Sequence, residues 1–338
     1  MLPEQSSSRR SVLDQILGGQ GIHASLKLSW SSPGRGLLAA VFAFLILVWG
    51  TTWGAITFSL EGFPPLFGLS LRFFLGSAIL CAALVWRHEW QRPTPRLWGL
   101  WLSQTFFAFS VAYGITYWAE QWVPSGLVAV FFATFPLWVA VLGYFVLPEE
   151  RLGLLGVIGL FLGFGGVAVI FSTDWSGLGG PGVAFAAAFT LISPLSAAVN
   201  QVWIKRWGRG FSPLLLTGPP VGAAAFLMLG LSALWEFGPG TDHTITPTWP
   251  AVAAVVYLGV PATAGAFGLY YWLMERVSAI RLSLITFATP VVAVWLGVAF
   301  LDEPLTVQSL LGAGLVLAGV GFVMLPRPHD RASTAKPD

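Results

Sequence analysis

The stretch AYGITYWAEQWVPSGLVAVFFATFPLWVAVLGYFVLPEERLGLLGVIGLFLGFGGVAVI, residues 112–170, returns in degenerate form as AFGLYYWLMERVSAIRLSLITFATPVVAVWLGVAFLDEPLTVQSLLGAGLVLAGVGFVM, residues 266–324. The two copies align at a constant offset of 154 residues up to Glu149, after which one residue is gained. The matched pairs are Ala112 and Ala266, Gly114 and Gly268, Tyr117 and Tyr271, Trp118 and Trp272, Pro136 and Pro290, and Glu149 and Glu303. A repeat of this length is a module of several elements, so the fold is predicted to contain one module twice.

Composition places the chain in a membrane. Of its 338 residues, 56% are hydrophobic and only 9% are charged, whereas about 25% are charged in a soluble globular protein. The 17 Trp and 26 Phe suit apolar helices with aromatic ends at the membrane interfaces. The single cysteine, Cys81, excludes an intramolecular disulfide, and the sequence has no Cys/His cluster. We therefore expect no metal and no cofactor.

Ten apolar runs are each long enough to cross a hydrocarbon layer of roughly 30 Å as a helix. They cover 36–57, 64–86, 97–118, 122–147, 152–172, 181–204, 211–236, 249–273, 278–301 and 305–326. The predicted organisation is a tail at 1–35, a first repeat of five spans at 36–172, a second at 181–326 and a tail at 327–338.

The basic residues predict the orientation. With a cytoplasmic N-terminus, 16 of the 17 Lys and Arg fall in inner segments, and the other, Arg72, lies inside the second span. Such a split follows the positive-inside rule and predicts that both termini are cytoplasmic. Because each copy has an odd number of spans, the second must enter the membrane the other way up. Inverted repeats are a transporter architecture, in which two equivalent halves exchange access around a central site.

The chain resembles the drug/metabolite transporter superfamily in its ten-span form built from two EamA-type repeats. The resemblance rests on VWGTTWG (48–54), LRF (71–73), YWAEQWVPSGLVAV (117–130) with ATFPLWVAVLGYFVLPEERL (133–152), and a GxxxGxxG helix in the fifth span. It implies an all-α integral membrane protein with ten transmembrane helices in two inverted five-helix repeats. The sixth span departs from the pattern because it lacks the Trp-Gly pair of the first. Members of such families export amino acids, related metabolites or drugs.

Arg72 lies about eight residues into its span, where an unpaired guanidinium costs several kcal/mol. It is either a structural tie to backbone carbonyls or a group that recognises an anion or gates the pathway. Trp49 and Trp53 share one face of the first span, beside a face formed by Gly50 and Gly54. These tryptophans either pack against other helices or line the pathway.

The duplicated pairs Tyr117–Trp118 and Tyr271–Trp272 lie near helix ends, where aromatic residues commonly form interface belts. Hydroxyl-bearing aromatics beside an acid can also bind an ammonium group, and Tyr113, Tyr117 and Glu120 share one helix face. Asn200 and Gln201 need partners for their amides, either in a wet cavity or on another helix.

From these patterns we predict one midplane cavity between the repeats. Its predicted lining is Trp49, Trp53, Arg72, Tyr117, Trp118, Asn200, Tyr271 and Trp272. Pro136 and Pro290 are predicted to kink the fourth and ninth helices and so to serve gating. Apart from residues near helix ends, no Asp, Glu, His or Lys lies within a span. A buried midplane carboxylate relay is therefore unsupported, and transport is predicted either to run down the substrate gradient or to couple through an outer-mouth group such as Glu120.

The leading hypothesis is a multi-pass permease of the cell membrane that exports amino acids or similar small metabolites by alternating access. Drug efflux and nucleotide-sugar transport remain alternatives. An integral-membrane enzyme acting on a lipid-linked substrate would need a nucleophile or an acid–base cluster that the sequence does not offer, so no enzyme activity is expected. The expected partners are a small-molecule substrate and the lipid bilayer, without nucleic acid, for a monomer or weak homodimer.

Overall fold

The structure is a computed structural model that describes residues 34–123, 125–170, 172, 183–241, 244–300 and 306–325. The chain forms two units, Met1–Ala40 and Val41–Asp338, and the described part of the first is the beginning of one helix. Most of the predicted tail at 1–35, all of the tail at 327–338, and Glu303 lie outside the described residues.

The described residues are helical and contain no β-strand. Sixteen α-helices lie within the described ranges: α1 Arg35–Gly50, α2 Thr52–Leu60, α3 Pro65–Trp86, α4 Pro95–Ser103, α5 Tyr113–Ala119, α6 Ser125–Phe132, α7 Phe135–Val146, α8 Leu154–Ile170, α9 Val183–Thr190, α10 Ile192–Trp207, α11 Pro213–Trp235, α12 Trp249–Gly259, α13 Ala266–Met274, α14 Ala279–Ser283, α15 Ile285–Phe300 and α16 Val307–Met324. Two π-helical turns, Gln104–Ala112 and Val260–Gly265, join α4 to α5 and α12 to α13. These helices fall into ten consecutive groups at the positions of the ten predicted spans.

Six helical stretches of the described chain are long and apolar enough to cross a membrane. They are Gly36–Leu60, Pro65–Trp86, Leu127–Val146, Pro213–Trp235, Trp249–Met274 and Val307–Met324. The all-helical membrane fold predicted from the sequence is thus confirmed, while the count of ten spans stays a prediction.

Hydroxyl side chains set the beginnings of several helices. Each accepts a hydrogen bond from the backbone N–H three residues later, which satisfies a donor that the helix itself leaves unpaired. The caps are Thr94, Ser212, Thr248, Ser278 and Thr306.

Equivalent spans of the two copies pack against each other. The fifth span, α8, lies along the tenth, α16, at glycines so close that a Cβ on Gly159 would come within 2.6 Å of the Gly319 carbonyl oxygen. The second span, α3, lies along the seventh, α11, where the Ser77 hydroxyl donates to the Gly218 carbonyl at 2.9 Å. Small residues at such contacts let helix backbones approach closely in lipid. Both pairings join matching members of the two repeats.

The π-helical turns also recur at matching places. Shifted by 154 residues, Gln104–Ala112 becomes 258–266, which contains the second turn, Val260–Gly265. Such turns interrupt the regular backbone pattern and are frequent at functional sites. The third and eighth spans are therefore irregular at the same depth in both copies.

Two consecutive prolines in α11, Pro219 and Pro220, cannot donate to the carbonyls four residues earlier. Those carbonyls find partners on the third span. The Trp101 indole donates to the Leu215 oxygen at 2.8 Å, and the Gln104 amide donates to the Leu216 oxygen. In lipid an unpaired carbonyl costs several kcal/mol, so these bonds tie the two copies together.

The two prolines predicted to kink the fourth and ninth helices lie differently with respect to the interruptions of those helices. In the fourth span, α6 ends at Phe132 and α7 begins at Phe135, so the interruption directly precedes Pro136. In the ninth span the interruption falls at Leu284, and Pro290 lies inside α15. There the Thr289 hydroxyl donates to the Thr286 carbonyl that Pro290 leaves unpaired, at 3.1 Å. Their role in gating stays a prediction.

Candidate functional site

A central cavity of about 110 Å³ lies within Val41–Asp338, between the first, third, fourth, sixth, eighth and ninth spans. Its aromatic walls are formed by Trp49, Trp53, Tyr113, Phe132, Phe135 and Phe267. Its polar lining consists mainly of Thr52, Thr116, Asn200, Gln201, Tyr270 and Tyr271, with Thr286 and Thr289 of the ninth span. None of the described residues that line the cavity carries a charged side chain.

The two repeats contribute matching positions to this lining. Four pairs at the offset of 154 residues line the cavity together: Tyr113 with Phe267, Thr116 with Tyr270, Phe132 with Thr286, and Phe135 with Thr289. The cavity therefore lies where the two copies meet, which is where inverted repeats place a substrate. The two halves of the lining differ chemically, because at two of the four pairs the first copy supplies phenylalanine and the second supplies threonine.

Four of the eight predicted lining residues meet at the cavity: Trp49, Trp53, Asn200 and Tyr271. The Trp49 indole donates to the Ala262 carbonyl at 3.2 Å, and its ring lies 5.1 Å from that of Tyr270. The Trp53 ring lies edge-on to Phe132 at 5.8 Å. Trp49 is therefore held by contacts with the eighth span and Trp53 by a contact with the fourth span.

Arg72 and Tyr117 do not line the cavity, contrary to the prediction. Arg72 is only 1% exposed, and its Nε donates to the Thr263 hydroxyl at 2.9 Å. Its Nη1 donates to the Tyr117 hydroxyl at 3.4 Å, and its guanidinium carbon lies 4.8 Å from the centre of the Tyr113 ring. The reason is that Tyr113 stands between this cluster and the cavity.

Trp118 and Trp272 do not line the cavity either. Each follows a buried tyrosine by one residue, and one residue turns a helix by about 100°. Trp118 packs edge-on against Phe189 at 5.6 Å, and Trp272 lies under the Arg276 guanidinium at 4.1 Å. Of the two duplicated Tyr-Trp pairs, Tyr271 is therefore the member that lines the cavity.

Amides form one end of the cavity. Asn200 donates to the Tyr271 hydroxyl at 3.3 Å and accepts from Ser103 at 3.2 Å. Gln201 donates to the Ala279 carbonyl at 2.6 Å and accepts from the Tyr270 hydroxyl. The sequence analysis did not predict Tyr270 as a lining residue. The offset of 154 residues pairs it with Thr116, which also lines the cavity.

At the side predicted to be cytoplasmic, a polar contact joins the loop after the fourth span to the sixth, eighth and ninth spans. We name it the polar latch and define it as Glu150, Lys205 and the backbone of residues 274–279. Lys205 Nζ donates to the Met274 and Val277 carbonyls at 2.6 and 2.5 Å and lies 3.6 Å from Glu150. Glu150 also accepts from the Ala279 N–H at 2.6 Å. Lys205 lies just beyond its predicted span, and burial lowers the pKa of its ammonium while the Glu150 charge opposes that shift.

Glu120, the predicted coupling group, lies one residue beyond the end of α5 and does not line the cavity. Both of its carboxylate oxygens are buried without a hydrogen-bond partner among the described residues.

Comparison with known proteins decides the family. The EamA-like transporter family matches the chain twice, over residues 34–172 and 184–325. The chain belongs to the EamA-like transporter family. This EamA-like protein is thus a multi-pass membrane transporter of the drug/metabolite transporter superfamily, as the sequence resemblance implied.

Relatives of this EamA-like protein extend over most of its length. An uncharacterised transporter of Archaeoglobus fulgidus is 27% identical, over 85% of this chain and 98% of its own. The inner membrane transporter YedA of Escherichia coli is 29% identical, over 86% of this chain and 90% of its own length. One solved crystal structure has a TM-score of 0.72 at 21% identity, over 86% of this chain and 97% of that one, and so shares the fold.

Proposed function

We propose that this transporter moves amino acids with apolar side chains, or similar small metabolites, out of the cell by alternating access. The observation that carries the proposal is the central cavity lined by four matched pairs from the two copies. A site on the shared axis of inverted repeats can be reached from either side when the copies exchange shapes.

The lining supports a small solute without net charge. Aromatic walls favour an apolar body, and the amides and hydroxyls offer a few fixed polar contacts, as in most small-molecule sites. A polyanion such as a nucleotide sugar would meet no charged side chain among the described lining residues, and burying unpaired charge is costly.

Drug efflux is the second candidate, because six aromatic side chains in the walls would also hold a flat apolar drug. The two functions differ in their dependence on the amide end. A small metabolite needs the polar contacts of Asn200, whereas a drug held by aromatic faces depends mainly on the walls.

The test is counterflow in proteoliposomes of the purified protein, with labelled leucine, a labelled nucleotide sugar and a fluorescent apolar drug. We expect leucine to be transported and Trp53→Ala to slow its transport several-fold, since an aromatic contact contributes about 0.5–1.5 kcal/mol. Trp295→Ala is the matched control, because Trp295 is 67% exposed on the ninth span. Transport of the drug but not of leucine would favour efflux. Equal rates of leucine transport in Trp53→Ala and Trp295→Ala would show that the substrate does not pass through the cavity.

A further inference from the structure

The most unusual group in the described structure is Arg72, a guanidinium buried to 1% exposure. The ion pairs found among the described residues are Arg87–Glu89, Lys205–Glu150 and Arg276–Glu275, and none involves Arg72. Hydroxyls of Thr263 and Tyr117 and the faces of aromatic rings compensate the charge only in part.

Tyr113 connects this charge to the cavity. Its ring centre lies 4.8 Å from the Arg72 guanidinium carbon, and its side chain belongs to the cavity wall. The ring is fixed from the other sides by Phe73 at 5.5 Å and by Phe267 at 6.0 Å. In a low-dielectric interior a neighbouring positive charge strengthens a phenolic O–H as a donor to an anion.

We propose that the Tyr113 end of the cavity is a carboxylate subsite. The substrate carboxylate accepts a hydrogen bond from the Tyr113 hydroxyl, and the positive charge of Arg72 behind the ring stabilises it there. This inference rests on the proposed transport function and narrows its substrate class to small monocarboxylates with an apolar body. Tyr113 is the specificity-determining residue, and Arg72 is a positioning residue, because it does not reach the cavity.

The role of Arg72 gives a further expectation. Arg72→Gln should decrease the preference for a carboxylate, because it removes the positive charge beside the Tyr113 ring.

The experiment compares leucine with leucinamide, which has the same apolar body but an amide in place of the carboxylate. Binding to the purified protein is followed by tryptophan fluorescence, since Trp49 and Trp53 lie in the walls, and transport is followed by competition in proteoliposomes. We expect the acid to be preferred about tenfold or more, because hydrogen bonds to charged groups are the stronger ones. Tyr113→Phe should abolish that preference, so that the acid and the amide bind equally. Tyr270→Phe, which removes another cavity hydroxyl, should keep the ratio of acid to amide.

Equal binding of acid and amide by the wild-type protein would overturn the subsite while leaving the transport function intact. A preference that survives Tyr113→Phe would overturn the role of Tyr113. If neither compound binds, the proposed substrate class fails and the subsite fails with it. Because Arg72→Gln removes a buried group and can prevent folding, Tyr113→Phe is the deciding variant.

Discussion

Replacing Lys205 with Met should open the cavity from the side predicted to be cytoplasmic. The polar latch joins the loop after the fourth span to the ends of the sixth and eighth spans and the start of the ninth. The side chains of Lys205 and Glu150 are 11% and 14% exposed, so water competes weakly for them. Methionine keeps the length of the side chain but removes the ammonium donor.

The size of the effect follows from these contacts. At 3.6 Å and an effective dielectric constant of about 20, the ion pair with Glu150 contributes about 4–5 kcal/mol before desolvation is subtracted. Removing one partner of a buried pair typically costs about 3–5 kcal/mol. Since Glu150 keeps its bond to Ala279 N–H, we expect the closed form to lose about 2–3 kcal/mol. That changes the ratio of closed to open forms by about 30- to 150-fold.

The assay uses a Cys81→Ser background with Thr286→Cys as a reporter in the cavity lining. A membrane-impermeant maleimide is added to inside-out or right-side-out vesicles. Lys205→Met should accelerate labelling from the cytoplasmic side only. Arg206→Met is the control, since it removes the same charge from the next residue, which is exposed. The reasoning is refuted if both variants label at the same rate while remaining folded.

Three further predictions follow from the topology and the site. Reporter fusions at the C-terminus and within 205–210 should both read cytoplasmic, because the basic residues lie in the inner segments, and an external C-terminus would overturn the inverted repeat. Replacing Pro136 or Pro290 with Ala should slow transport in proteoliposomes more than it lowers expression, and unchanged transport in both variants would make the prolines packing features. Glu120→Gln should abolish any pH dependence of transport, measured as rate against external pH, because its buried carboxylate is the coupling group we expect; an unaltered pH profile would contradict that role.

Much of the fold could be predicted because lipid leaves a chain few choices. A spanning segment must pair its own backbone groups, so apolar runs of the right length are helices, and the basic residues indicate which ends face inward. The offset of 154 residues carries information about the site as well. It relates Tyr113 to Phe267 and Thr116 to Tyr270, and all four line the cavity.

Side-chain direction was the part that could not be predicted. Arg72 is equally polar whether it faces the cavity or a neighbouring helix, and its burial behind Tyr113 depends on contacts with the third and eighth spans. Trp272 lies one residue from the cavity residue Tyr271, and an error of one position turns the side chain by about 100° around the helix.

The two bonds that Trp101 and Gln104 donate to α11 constrain how the protein is made in the cell. The carbonyls of Leu215 and Leu216 need partners from the first copy, which emerges from the ribosome earlier and is already in the membrane when α11 arrives. The second copy therefore depends on the first during biogenesis, although the two are alike in sequence. If the gene is divided between 172 and 181, we expect the C-terminal fragment to be degraded when expressed alone and to accumulate when the N-terminal fragment is co-expressed.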